Sequence, residues 1–160
     1  MITKKTFRTV ILHYRKLLDG VLYQQYNEKL CRKLEEFLMS HKVQTMHGFL
    51  SIAKNKEPDI SPLFNKIWSE GMQLMVPKTD FMFKQLRHYY LDANTTLIEN
   101  KRGIPEPIDA EEGSFEEADL VLVPLLVSDQ QGYRMGYGGG YYDKLLAETK
   151  ALKVGLSLSP

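Results

Sequence analysis

The N-terminal part of the chain carries apolar side chains at the spacing of two amphipathic helices. Between Thr3 and Gly20 these side chains recur every three or four positions, which predicts a helix with Thr3 as its N-cap and Gly20 as its stop. The residues on its apolar face are Phe7, Val10, Ile11, Tyr14, Leu17 and Leu18. A second helix is predicted next, with Tyr26, Leu30, Leu34, Phe37 and Leu38 along one side.

Beyond this region, shorter apolar runs separated by prolines and glycines predict strands that alternate with helices. Strands are expected within 43–53, 72–76, 120–124 and 154–158, a strand or hairpin at 81–90, and helices at 60–70 and 144–148. Pro77 is expected to close its strand, and two prolines spaced by one residue predict an extended loop over 101–118. This alternation predicts a single three-layer α/β/α domain over residues 1–160, with a mostly parallel central sheet.

Composition and charge narrow the classes of function. The formal net charge of +1 provides no basic field for nucleic acid, so any anion-binding site must be local. The single cysteine, Cys31, cannot form an internal disulfide, which favours a reduced, cytoplasmic location. No apolar run approaches the length of a membrane span, so we do not expect a membrane as a partner. Because of the low net charge, we do not expect nucleic acid as a partner either.

The stretch from Arg134 to Asp143 carries the clearest chemical signal. Four of the eleven glycines fall within five positions there, between the strand at 120–124 and the helix at 144–148. Glycines at such a junction let backbone N–H groups approach an anion, which indicates a phosphate-binding loop. The string satisfies neither the Walker A pattern nor the dinucleotide fingerprint, since Tyr141 stands where the latter needs glycine. On composition alone, a purely structural glycine-rich turn is an equal alternative.

Several charged residues could complete such a site. Arg134 offers a fixed cation, and Asp143 could hold Mg²⁺, which binds one or two carboxylates beside phosphates. Lys4 and Arg8 stand four positions apart on one helical face and could reach a polyphosphate. Glu57, beside a proline in a loop after a predicted strand, could hydrogen-bond a polar ring. Each also has an ordinary alternative as a solvated surface or helix-end charge, and the four histidines show no metal-ligand spacing.

The glycine motif resembles the signature of the 5-formyltetrahydrofolate cyclo-ligase family, also called methenyltetrahydrofolate synthetase. Residues 134–146 match it closely, and weaker pieces occur in the family's order along nearly the whole chain. These pieces are Lys4 with Arg8, Glu57, Val76-Pro77-Lys78, Gly103 to Pro107, and Val123-Pro124. Some relatives carry a lysine within the glycine loop, so here one phosphate contact must come from elsewhere. Family members also continue past the last strand, which implies a cyclo-ligase domain that lacks its C-terminal segment.

The resemblance implies a fold similar to the sugar-phosphate isomerase-like superfamily and an ATP- and Mg²⁺-dependent ring closure. 5-Formyltetrahydrofolate would be cyclised to 5,10-methenyltetrahydrofolate through a phosphorylated formyl intermediate, with release of ADP and phosphate. Lys4, Arg8 and Arg134 would act on the phosphates as catalytic and nucleotide-binding residues. The further nucleotide-binding residues would be Gly136, Gly138, Gly139, Gly140 and Tyr141, the substrate-binding residues Glu57, Tyr142 and Glu106, and the Mg²⁺ ligand Asp143.

Two other classes of function remain open on the sequence. One is a non-catalytic folate- or nucleotide-binding protein that retains the glycine loop without turnover. The other is a sugar-phosphate isomerase-like sensing module. Lys4, Arg8 and Asp143 together favour ATP with Mg²⁺ over a sugar phosphate, which needs no metal ligand. We expect a small-molecule enzyme that is a monomer or a weak dimer.

Overall fold

A six-stranded sheet forms the centre of the fold in the computed structural model, which describes residues 3–158. The strands within these residues are β1 (Thr45–His47), β2 (Gln73–Asp80), β3 (Gln85–Leu91), β4 (Thr96–Glu99), β5 (Pro105–Ile108), β6 (Glu112–Gly113), β7 (Leu120–Pro124), β8 (Val127–Ser128), β9 (Arg134–Met135) and β10 (Leu152–Leu156). The central sheet has the order β10-β7-β1-β2-β3-β6. Its first four strands are parallel, and β3 and β6 extend it antiparallel. The predicted α/β fold with a mostly parallel sheet is therefore confirmed.

Four α-helices accompany the strands within residues 3–158: α1 (Lys4–Lys16), α2 (Gly20–Ser40), α3 (Phe64–Ser69) and α4 (Tyr141–Ala147). Thr3 caps α1 as predicted, since its hydroxyl accepts a hydrogen bond from the Thr6 amide at 3.1 Å. The prediction that Gly20 stops this helix is wrong. Asp19 accepts a hydrogen bond from the Val21 amide at 2.8 Å, and this cap makes Gly20 the first residue of α2. In the described part of the chain, no helix has both the length and the apolar character needed to span a membrane.

The two faces of the sheet carry separate apolar clusters. On one face α2 and α3 contribute Leu30, Leu34, Leu38 and Ile67, which pack with strand residues such as Met46, Leu74 and Leu120. On the other face Met75, Val121 and Val123 contact Tyr142 and Leu146 of α4. Helices on both faces of a sheet give the three layers that the sequence predicts.

The apolar face predicted for α1 is only partly correct. No residue of this helix is buried, and the half-buried positions are Arg8, Ile11, Leu12 and Arg15. Val10 and Tyr14 are 42% and 64% exposed. The helix lies over a cavity rather than over the core, and two of its half-buried positions are arginines.

Two further differences concern prolines. Pro77 does not end its strand: the pairing of β2 with β1 stops at Met75, while the pairing of β2 with β3 continues through Pro77 to Asp80. The range 101–118, predicted as an extended loop, contains β5, which pairs with β4 in a two-stranded ribbon. The helix predicted at 60–70 and the hairpin at 81–90 are present, the latter as β2 and β3.

Candidate active site

A cavity of about 750 Å³ lies where the parallel strands β1, β2 and β7 end. This is the edge at which α/β sheets bind ligands. Almost all of the predicted site residues line this one cavity. They are Lys4, Arg8, Glu57, Arg134, Gly136, Gly138, Gly139, Gly140, Tyr141, Tyr142 and Asp143.

The glycine loop from Gly136 to Gly140 forms one wall of the cavity. Gly138 and Gly140 have φ angles of 94° and 75°, which residues with a Cβ rarely adopt. A Cβ on Gly139 would lie 2.8 Å from the ring of Tyr141. The glycines are thus required by backbone shape and by close packing, and they leave the loop backbone open to the cavity. The following helix α4 has only seven residues, so the loop itself and nearby cations must supply most of any attraction for an anion.

Arg8 joins α1 to the glycine loop. Its Nε donates a hydrogen bond to the carbonyl oxygen of Gly136 at 2.9 Å. Lys4 lies one helical turn earlier and lines the same cavity. The guanidinium carbon of Arg8 is also only 3.2 Å from where a Cβ on Gly138 would stand. Of the two cations predicted from the K-x-x-x-R spacing, Arg8 therefore contacts the loop and Lys4 lines the cavity.

Arg134 and Asp143 form an ion pair at the mouth of the cavity. The Nη2 of Arg134 lies 2.5 Å from the Oδ1 of Asp143. The side chain of Arg134 is 17% exposed, and that of Asp143 is 77% exposed. Within residues 3–158, no group of three or more His, Cys, Asp or Glu side chains is arranged to hold a metal ion. A single exposed carboxylate still fits Mg²⁺, because this ion keeps several waters and completes its shell with substrate phosphates.

Glu57 lines the same cavity close to Tyr137 of the glycine loop and is only 3% exposed. Its Oε2 accepts a hydrogen bond from the Ile52 amide at 2.8 Å, and the left-handed turn at Lys56, with a φ angle of 48°, precedes it. Burial raises the pKa of the Glu57 carboxyl, while the hydrogen bonds from Tyr137 and the Ile52 amide and the charge of Arg15 lower it. The alternative of an exposed surface acid is excluded for this residue.

The hydroxyl of Tyr142 is a polar group without a partner. Its oxygen is shielded from solvent and has no hydrogen-bond partner among the described residues. The ring lies about 6.0 Å from the guanidinium carbon of Arg134. Because buried hydroxyls are normally hydrogen-bonded, this group is suited to contact a ligand in the cavity.

Sequence reasoning missed two residues next to the predicted ones. Arg15 and Tyr137 are hydrogen-bonded to each other, and the Nη2 of Arg15 lies 4.0 Å from Oε1 of Glu57. The spacing of seven residues between Arg8 and Arg15 places both on one face of α1, and this spacing was the available signal.

Glu106 is the one predicted site residue that does not line the cavity. It accepts a hydrogen bond from Asn100 at 2.7 Å and lies 3.8 Å from Lys78. These contacts hold its carboxylate in the β4–β5 ribbon, and the preceding residues Ile104 and Pro105 line the cavity instead. Sequence reasoning also missed Phe81 in the cavity wall, over which the Arg102 guanidinium stacks at 3.9 Å.

Comparison with known proteins identifies related chains. A model of the 5-formyltetrahydrofolate cyclo-ligase family matches residues 1–157. The mitochondrial 5-formyltetrahydrofolate cyclo-ligase of Arabidopsis thaliana is 26% identical over 181 residues, which cover 98% of this chain and 65% of that protein. The 5-formyltetrahydrofolate cyclo-ligase of Escherichia coli K12 is 26% identical over 147 residues, which cover 90% of this chain and 80% of that protein.

A solved structure is also similar. The NMR structure of Aquifex aeolicus 5,10-methenyltetrahydrofolate synthetase superposes with a TM-score of 0.82 at 30% identity, covering 98% of this chain and 78% of that chain. The chain thus spans between 65% and 80% of the length of these three relatives. The expected similarity to sugar-phosphate isomerases is not confirmed. The family match over almost the whole chain shows that this protein belongs to the 5-formyltetrahydrofolate cyclo-ligase family of enzymes, as its glycine motif predicted.

Proposed function

We propose that this protein converts 5-formyltetrahydrofolate to 5,10-methenyltetrahydrofolate, using ATP and Mg²⁺ and releasing ADP and phosphate. A formamide oxygen is a poor leaving group, so transfer of a phosphoryl group to it would allow the N10 amine to attack the formyl carbon and phosphate to depart. Such a reaction requires positioning and charge stabilisation more than covalent catalysis. The names of the relatives support this assignment.

One observation carries the proposal. A single cavity brings together the cationic glycine-loop wall, with Lys4, Arg8 and Arg134, and a buried carboxylate, Glu57. Phosphates and a pterin require these two kinds of surface, respectively. A volume of about 750 Å³ is within the range of cavities that hold drug-sized ligands.

On the phosphate side, Lys4, Arg8 and Arg134 would neutralise the charge of the triphosphate. Gly138, Gly139 and Gly140 would let backbone N–H groups approach it, since no side chain intervenes at these positions. Arg8 is held by Gly136, so its guanidinium is oriented before any ligand arrives. Orientation of this kind stabilises a transferring phosphoryl group without reorganisation during the reaction.

On the folate side, the carboxylate of Glu57 would accept hydrogen bonds from the amino and amide edge of the pterin. Tyr142 would provide a hydroxyl for the same ligand, because its oxygen has no partner among residues 3–158. Apolar side chains that include Phe81, Ile104 and Pro105 would enclose the ring system.

Asp143 would hold Mg²⁺ beside the phosphates. In the structure its carboxylate is neutralised by Arg134. With this carboxylate on the metal, Arg134 would be available to contact the phosphates, close to its position in the ion pair. When bound, the metal would offset the negative charge that develops on the transferred group.

The direct test is formation of methenyltetrahydrofolate, followed by its absorbance, with purified protein, 5-formyltetrahydrofolate, ATP and Mg²⁺. We expect product only when both ATP and Mg²⁺ are present. Asp143→Ala should lower kcat by at least about a hundredfold with the fold retained, since a missing charge-stabilising group typically costs that much. Glu148→Ala is the matched control, because this exposed carboxylate follows the same helix outside the cavity.

Three outcomes decide between the proposals. Wild-type turnover in Asp143→Ala would contradict the metal role of that residue. Folate binding without any turnover in the wild-type protein would favour the non-catalytic binding function. Absence of both binding and turnover would overturn the proposed function.

A further inference from the structure

Arg15 belongs to α1, and its side chain extends from this helix towards Glu57, behind the cavity wall. This side chain is 10% exposed. Its Nε donates to the carbonyl oxygen of Asn55 at 3.0 Å, and Nη1 donates to that of Leu125 at 3.2 Å. Its Nη2 donates to the hydroxyl of Tyr137 and lies 4.0 Å from Oε1 of Glu57. All three nitrogens are therefore engaged, and the guanidinium is fixed in one orientation.

Four side chains on other elements bring ionisable groups to Glu57. They are Arg15 of α1, Tyr23 of α2, Tyr137 of the glycine loop and Tyr142 of α4. Tyr23 contacts the backbone of Glu57, since its hydroxyl donates to the carbonyl oxygen at 2.8 Å. Of these four groups, only Arg15 carries a positive charge. The charge that balances a buried Glu57 carboxylate therefore comes from this residue.

We infer that Arg15 is a positioning residue, which keeps the Glu57 carboxylate ionised and oriented for a ligand with paired N–H donors. This inference rests on the proposed function, because that ligand is the pterin of 5-formyltetrahydrofolate. The 4.0 Å separation is longer than a hydrogen bond, so Arg15 acts through its charge and leaves the acceptor positions of Oε1 to other donors. Through Tyr137, the same guanidinium connects the folate side to the glycine loop.

The sign of the expected pH dependence follows from the surroundings of Glu57. Burial raises the pKa of this carboxyl, and the charge of Arg15 lowers it. Without Arg15 the buried carboxylate has no balancing charge, so its pKa rises further. A protonated carboxyl loses acceptor capacity, and the pterin then binds less tightly. Binding to a variant without Arg15 should therefore weaken as the pH falls and recover as it rises.

The test measures the Kd of 5-formyltetrahydrofolate by calorimetry between pH 6.0 and 8.5, without ATP. We expect Arg15→Gln to weaken binding about tenfold at pH 6.0 and to approach the wild-type Kd at pH 8.5, where the carboxyl of the variant is ionised. Arg15→Lys keeps the charge and should lie between the two. Arg87→Gln is the control, because this exposed arginine pairs with Glu112 and does not line the cavity.

A second measurement does not depend on folate binding. Carbon-13 NMR of the glutamate carboxyls follows the titration of Glu57 in wild-type and Arg15→Gln protein, and circular dichroism checks that both are folded. A higher pKa of Glu57 in the variant supports the inference even if the proposed substrate is wrong. An unchanged pKa, or a loss of affinity that is the same at every pH, would overturn it and leave Arg15 a purely structural residue.

Discussion

Gly138 shows how the absence of one side chain shapes the phosphate side of the cavity. Its φ angle of 94° lies in the left-handed region, and the Arg8 guanidinium carbon is 3.2 Å from the position of a Cβ. Arg8 can hydrogen-bond to Gly136 only because this space is open. The residue thus sets both the path of the loop and the position of a cation on another element.

We therefore predict that Gly138→Ala raises the KM for ATP by about tenfold or more, since misplacing a positioned group has effects of this size. Backbone strain should also lower the free energy of unfolding by about 1–2 kcal/mol. Gly132→Ala separates the two effects, because Gly132 has a φ angle of 85° with nothing within 4 Å of its Cβ position. Steady-state kinetics and denaturant unfolding of both variants give the comparison. An equal increase in KM for the two variants would contradict the role of Arg8.

The residues that carry charge into the cavity were the most predictable ones. Lys4, Arg8 and Glu57 follow from motif spacing and order, and the structure brings them together. Arg15 and Tyr137 were missed because their partners are mainly backbone carbonyls and each other. Hydrogen bonds to carbonyl oxygens of distant loops leave no pattern in a sequence.

At the scale of elements, α1 is held in an unusual way for an amphipathic helix. Its apolar residues are largely exposed, and Arg8 and Arg15 dock it by donating to carbonyl oxygens of Gly136, Asn55 and Leu125. Hydrophobic periodicity identified the inward face of this helix only in part, since periodicity assumes that a helix packs on an apolar core. The prediction succeeded for α2, which does pack on that core.

The β4–β5 ribbon explains why a proline-rich segment was mistaken for a loop. Asn100 donates to the carbonyl oxygen of Ile104 at 2.9 Å, which starts the hydrogen-bonded pairs of the ribbon. The pairs then alternate, so Pro105 and Pro107 fall opposite Glu99 and Leu97 at positions that donate nothing to β4. Two prolines spaced by one residue are therefore compatible with an antiparallel edge strand, although they exclude a helix.

At the scale of the whole molecule, the position of the candidate site follows from the topology. Alternating strands and helices predicted a mostly parallel sheet, and the carboxyl ends of such strands are where a ligand would bind. The sequence did not reveal the polar contact between two histidines, His47 and His88. His47 is fully buried, its Nε2 lies 2.9 Å from Nδ1 of His88, and both rings contact Phe115.

This histidine pair predicts a loss of stability in mild acid. Burial lowers the pKa of His47 to about 3 and that of His88 to about 4, so the folded state binds fewer protons than the unfolded state below pH 6.5. Stability should be fully present above pH 6.5 and fall as the pH decreases towards 4. Between pH 7.5 and pH 5.0 we expect a decrease of roughly 2–4 kcal/mol in the free energy of unfolding.

Urea unfolding at the two pH values measures this decrease, and His88→Gln should reduce it by about half because one of the two groups is removed. The control is His13→Gln, at an exposed position on α1. If His88→Gln loses as much stability between these pH values as the wild-type protein, the buried pair is not the cause.

The docking of α1 also has a consequence for the order in which the molecule assembles. The hydrogen bond between Arg8 and Gly136 joins residues 128 positions apart, and that between Arg15 and Leu125 spans 110 positions. During synthesis α1 is made before the loop that completes its site. Closing so long a loop costs entropy that no buried side chain of α1 offsets. The helix can therefore dock after the sheet and its core have formed, and we expect local unfolding to remove ligand binding before it disrupts that core.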